Sequence, residues 1–181
     1  MSKSIFVTTT DANSGKSLIS LGILRLMLTK SNNVGYFRPI INVASKNEID
    51  EHTNTAITFF KLQLKYEESF VYTQKEILEL ISLGKEEEII QNIISSFKKL
   101  EKRFDYILIE GTDFSGDGGF TEADVNVMIA NNLNVPVLIV GAGNGRKKKD
   151  FLNTINITYS EFLQKDVDVV GVIANKTEED E

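Results

Sequence analysis

The stretch "SIFVTTTDANSGKSLIS" at residues 4–20 restricts the possible folds more than any other part of the chain. Residues 5–9 are a short β-branched and aromatic run, which predicts a buried strand. A polar loop follows over residues 10–15. Lys16 and Ser17 then open a helix, expected over residues 16–30, that is apolar almost all round. Strand, loop closing on Gly-Lys-Ser, helix is the layout of a loop that wraps backbone N–H groups around phosphate. In that layout Thr10, Asp11, Asn13, Ser14 and Gly15 form the cradle, Lys16 reaches the outer phosphates of a nucleotide, and Ser17 ligates Mg²⁺. The pattern's first glycine is absent. Thr10 stands in its place, or Thr9 if the loop is counted one residue longer. The alternative reading is a helix-entry glycine followed by an exposed lysine.

The rest of the chain alternates in the same way. The first helix carries Leu18, Ile19, Leu21, Leu24, Leu26, Met27 and Leu28, so it is expected to pack on a sheet with little exposed face. Gly22 in its middle is expected to allow close approach to a strand. "VGYFR" at 34–38 predicts a second strand, stopped by Pro39. Arg38 at its end is placed either to face an anionic ligand or to cap the strand edge. Beyond it the signal weakens to a polar loop and a helix from about residue 53 to 62. Asp50, Glu51 and His52 form an acid and base cluster near the mouth, or a solvated loop; Asp50 is also a third candidate for Mg²⁺.

A short strand is expected at 70–72 and helices over 73–84 and 85–103, the latter with acids early and bases late, as the helix dipole favours. "DYILIEG" at 105–111 holds a continuous apolar run, the mark of a central parallel strand. Glu110 sits at its carboxyl end, where open α/β sheets bind ligands, and can hold Mg²⁺ or simply cap the loop. A glycine-rich loop over 112–120 leads to a helix over 121–133, with Thr121 as cap and Asp124 in the first turn. A buried strand at 137–140 precedes a helix beginning at "RKKKD" and running to about residue 163. Its bases read as a solvated helix start or a local anion contact. The last strand, 169–174, is followed by Asn175, in position to contact a nucleotide base.

With 181 residues, 41% of them hydrophobic, the chain has enough material for one domain, expected over 1–177. The acidic residues 178–181 read as a tail or a linker to a further domain. Zero cysteines exclude disulfides and thiolate chemistry, and a single histidine excludes any site needing two. A net charge of −6 argues against nucleic-acid binding. No apolar run reaches the roughly 18 residues of a membrane helix, and no signal-peptide layout opens the chain, so a cytoplasmic location is expected. The fold expected is α/β: a doubly wound, mostly parallel sheet of five or more strands with helices on both faces.

"FVTTTDANSGKS", "GYFRPI", "DYILIEG", "VPVLIVG" and "VVGVIANK" fall in the order and spacing of the dethiobiotin synthetase-like P-loop NTPase domains. Within that group the chain most resembles the N-terminal domain of long bacterial phosphate acetyltransferases, and "ILELISLGKEEEIIQNIISSF" is similar to that family's middle segment. The resemblance implies a domain of regulation and assembly, with ATP or ADP and Mg²⁺ as possible ligands. Acyl transfer between acetyl-CoA and phosphate would belong to a C-terminal domain of the same polypeptide, and no catalytic residue is expected in this chain. It also implies a homo-oligomer. One alternative is a stand-alone dethiobiotin synthetase-like Mg-ATP ligase, from which this chain departs at Arg38, where that family carries lysine, at Thr9, and in the loop after Glu110. Another is an interaction domain with a vestigial loop.

Overall fold

The computed structural model describes residues 3–11, 14–112 and 122–177. Strand β1 (Lys3–Thr9) is central, with Lys3–Val7 in parallel register with Tyr106–Glu110 of β5 and Phe6–Thr9 against Val137–Val140 of β6 (Val137–Ala142). β2 (Val34–Phe37) closes one side on β5, and β7 (Val169–Asn175) closes the other on β6. The order is therefore β2-β5-β1-β6-β7, all parallel. Phe6, Val7, Ile107, Leu108, Ile109 and Ile139 are fully buried, as continuous apolar strands covered on both faces should be.

Right-handed crossovers fix which helix covers which face. α1 (Lys16–Leu28) joins β1 to β2 in one direction across the sheet. The connections onward through α4 (Glu86–Glu101), α5 (Glu122–Leu133) and α6 (Lys148–Leu163) run the other way. Thus α4, α5 and α6 pack side by side on one face, and α1 lies on the other. Between β2 and β5 the chain adds α2 (Glu51–Phe59), α3 (Gln74–Ser82) and a two-stranded parallel sheet of β3 (Ile40–Ile41) and β4 (Tyr72–Thr73). The doubly wound architecture is the one expected. No helix among the described residues is long and apolar enough to cross a membrane.

Two expectations for α1 are corrected. Its buried stripe is Lys16, Ser20 and Leu24, one residue per turn, while Leu18 and Leu26 are 73% and 66% exposed. A single helix laid on a sheet buries only the stripe that faces it, however apolar the remainder. Gly22 belongs to that outward face, and a side chain there would meet nothing, so it serves no close approach. The early helix also stops sooner than expected, at Leu28, and the expected 53–62 helix instead spans Glu51–Phe59, because Asp50 caps it. β3 is an element that periodicity did not indicate.

Candidate functional site

The carboxyl ends of β1, β5 and β6 meet where the winding direction reverses, and the loop leaving β1 enters α1 at that point. Gly15 takes φ +85° immediately before α1, a left-handed conformation that a β-carbon disfavours. A side chain there would also collide with the Asn175 amide. That amide, at the end of β7, donates to the Ser14 carbonyl at 2.8 Å, so in this structure Asn175 holds the loop. Ser14 is buried, and its Oγ has no hydrogen-bond partner among the described residues. Asn13 lies outside the described residues.

The loop's other flank is tied too. The Thr10 N–H donates to the Val140 carbonyl at 3.1 Å, and its hydroxyl donates to Asp11 Oδ2 at 2.7 Å. Asp11 accepts both guanidinium N–H groups of Arg146, each at 2.7 Å. That fork comes from the loop before α6, and it holds the Asp11 carboxyl below its ordinary range. Sequence reading placed Arg146 only within a basic run. Its partner is 135 residues away, a pairing that only the strand order brings about.

Beneath the loop lies a buried charged network. Lys16, 3% exposed at the start of α1, donates from Nζ to the Gly111 carbonyl. Asn126 of α5 fixes the adjoining backbone, accepting from Thr112 N–H at 2.9 Å and donating to Thr112 O at 3.2 Å. Glu110 is fully buried at the end of β5. The Tyr36 hydroxyl donates to its Oε2 at 3.1 Å, and His52 Nε2 of α2 lies 2.9 Å from its Oε1. That second contact is close but poorly aligned, so it is an electrostatic approach more than a formed hydrogen bond. Burial alone would raise the Glu110 pKa. His52, Lys16 and Arg38 outweigh it and bring the value down to about 2, so the carboxylate is ionised at neutral pH. Burial, then Glu110, push the Tyr36 phenol well up, which keeps it a neutral donor.

Arg38 and Asp50 form the neighbouring pair, Nη1 to Oδ1 at 3.3 Å and both buried. Asp50 also caps α2, accepting from Thr53 N–H at 2.8 Å, and takes the Asn42 N–H at 3.2 Å. Burial opposes its charge, but Arg38 and the Thr53 N–H hold its pKa below the ordinary value. The structure therefore brings Lys16, Glu110, His52, Arg38 and Asp50 into one connected cluster under the loop, while Glu51 points to solvent. Tyr36 was missed because it reads as one more core aromatic within a strand. Ser17, half-buried, occupies the second position of α1, directly after Lys16. Among the described residues no three acidic or histidine side chains cluster as a protein-only metal site. A cation here would need Ser17, Glu110 and ligands of its own.

Comparisons with known proteins bear on the family and the fold. The AAA_26 family, described as an AAA domain, matches residues 3–181. The phosphate acetyltransferase of Nitratidesulfovibrio vulgaris is 35% identical over 176 residues, which cover 97% of this chain and 25% of that protein. The chain thus spans about a quarter of the length of that relative. The ATP-dependent dethiobiotin synthetase of a Hydrogenobaculum species is 24% identical, with 94% of this chain and 76% of that protein covered. Among solved structures, a putative plasmid partition protein from Borrelia burgdorferi, bound to AMPPNP, superposes with a TM-score of 0.61 at 17% identity. That match covers 99% of this chain and 78% of the other, and it shows a shared fold.

Proposed function

Given that this chain belongs to the AAA_26 family of AAA domains, we propose that it binds the phosphates of ATP or ADP and serves as the N-terminal regulatory and assembly domain of a phosphate acetyltransferase. The observation that carries the nucleotide reading is the loop before α1. Gly15 is left-handed, Lys16 is buried at the helix start, and the Ser14 hydroxyl is buried without a partner among the described residues. Together these suit a group with several acceptor oxygens placed at a helix N-terminus. The relatives named phosphate acetyltransferase support the wider assignment, with acyl transfer assigned to a C-terminal domain of the same polypeptide.

In this reading Lys16 leaves the Gly111 carbonyl for the outer phosphate oxygens, and the α1 N–H groups take the inner ones. Ser17 and the ionised Glu110 would hold Mg²⁺, whose charge would offset that of the phosphates. Glu110 Oε1, buried with no aligned hydrogen bond, fits that use. Arg38 and Asp50 neutralise each other and shape the floor of the site. Asn175 is placed to touch the base only if it releases Ser14.

Calorimetric titration with Mg-ATP and Mg-ADP tests the reading. Binding is expected for the wild-type chain and none for Lys16→Ala. A folded wild-type chain that binds neither nucleotide would make the loop a relic and the domain an interaction module. The span of the dethiobiotin synthetase relative that the chain covers favours a second reading, a Mg-ATP ligase. Against it, Arg38 is committed to Asp50, and a guanidinium does not give up its proton to act as an amine would. Dethiobiotin synthesis by the isolated chain would decide for that ligase.

A further inference from the structure

Two buried atoms without hydrogen bonds stand side by side beneath the loop. Glu110 Oε2 accepts from the Tyr36 hydroxyl, so Oε1 is the oxygen still open, and it lies 2.9 Å from His52 Nε2. Neither Oε1 nor Nε2 has a hydrogen-bond partner among the described residues. A nitrogen and an oxygen at that distance ordinarily share a proton along a straight line, yet here the alignment fails. Two lone pairs turned toward a common third point give the same separation without that alignment. Donors about 2.1 Å from one ion, at right angles around it, stand about 3 Å apart.

Asp50, the third cation candidate from the sequence, is committed elsewhere. Its carboxylate accepts from Arg38 Nη1 and from the N–H groups of Thr53 and Asn42. By capping α2 it also sets His52, the second residue of that helix, against the end of β5. The imidazole is 23% exposed and reaches inward from the surface, with Nε2 buried. Lys16 and Arg38 act on Glu110 as well, so a divalent ion must arrive with anionic oxygens of its own.

We propose that His52 Nε2 is a ligand of the cation that accompanies the nucleotide, beside Glu110 Oε1 and Ser17, and that the site therefore prefers a first-row transition ion to Mg²⁺. Imidazole nitrogen is a better donor to Co²⁺, Ni²⁺ or Zn²⁺ than to Mg²⁺, which keeps oxygen ligands and water. Ligation uses the Nε2 lone pair, which puts the ring proton on Nδ1. The inference rests on the nucleotide reading and changes the ion which that reading calls for.

The chain has a single histidine, so its resonances are unambiguous. With Co²⁺-ADP bound, the His52 ring protons should move far outside the ordinary proton range by a through-bond shift, and His52→Ala should lack these signals. In calorimetry the wild-type chain should bind Co²⁺-ADP on the order of tenfold tighter than Mg²⁺-ADP. In His52→Ala and in His52→Gln that preference should disappear while Mg²⁺-ADP binding stays nearly unchanged. Co²⁺-ADP that binds without shifting the ring protons overturns this proposal and leaves the nucleotide site standing. So does a preference for Co²⁺ that survives both substitutions. Binding of neither complex to the folded wild-type chain overturns the nucleotide reading and this proposal together.

Discussion

Glu110 is an anion held in the interior by surrounding cations, and removing it should reveal how much of the site's stability it organises. Glu110→Gln keeps the shape but leaves Lys16 and His52 without their shared partner. A loss of about 3 kcal/mol is expected in urea unfolding at neutral pH. The pH dependence has a definite sign. The folded pKa is about 2 against an ordinary value of 4.5, so this group's contribution is complete above 4.5 and disappears as pH falls from there toward 2. Wild-type stability should therefore drop through that range more steeply than that of Glu110→Gln. A parallel course for the two proteins would show that the carboxylate is not ion-paired in the folded state. Lys16, Ser17 and Glu110 were legible in the sequence because each occupies a fixed place relative to a strand end. The approach of His52 to Glu110 and the fork of Arg146 on Asp11 were not, since both join segments far apart in the chain. Arg38 was legible as a charge at the right strand end, but its burial against Asp50 depends on how α2 folds back.

Among the elements, α2 is the one on which the site most depends for its shape. Its first turn is anchored by Asp50, whose carboxylate serves as helix cap and as counter-ion to buried Arg38. Asp50→Ala should cost about 3 kcal/mol or more in a denaturant melt, combining a lost cap with a buried guanidinium deprived of its carboxylate. Asp50→Asn should recover the capping part only. Equal losses for the two would assign the whole effect to charge. Long elements were legible from periodicity alone: α4 and α6 begin within a residue or two of the positions expected. The two-residue strands β3 and β4 were harder to read, since each acquires strand geometry only by finding the other across some thirty residues. The exposed Leu18 and Leu26 show the limit of composition as a guide. An apolar helix predicts burial, but the number of faces a sheet offers is set by topology.

Across the whole molecule, the strand order explains why one end of the sheet collects the charged residues. Helices leave the central strands toward opposite faces, and the gap between them receives every loop that carries Lys16, Glu110 or Asn175. The ties on the loop have a consequence for the thermodynamics of any ligand it takes. Asn175 grips Ser14 and Arg146 grips Asp11, so these flanking residues are ordered before a ligand arrives. Their ordering entropy is lost at the moment of folding, and encounter with a nucleotide need not lose it again. In Asn175→Ala that loss would return to the binding step. Calorimetry should then record a less favourable binding entropy at nearly unchanged enthalpy, and stopped-flow kinetics a slower association with little change in dissociation. An unchanged entropy would mean that the loop is as ordered without the tie as with it. On the proposed nucleotide reading, a domain built this way would respond quickly to a change in nucleotide concentration, because these flanking residues need no further ordering once the ligand is at the mouth.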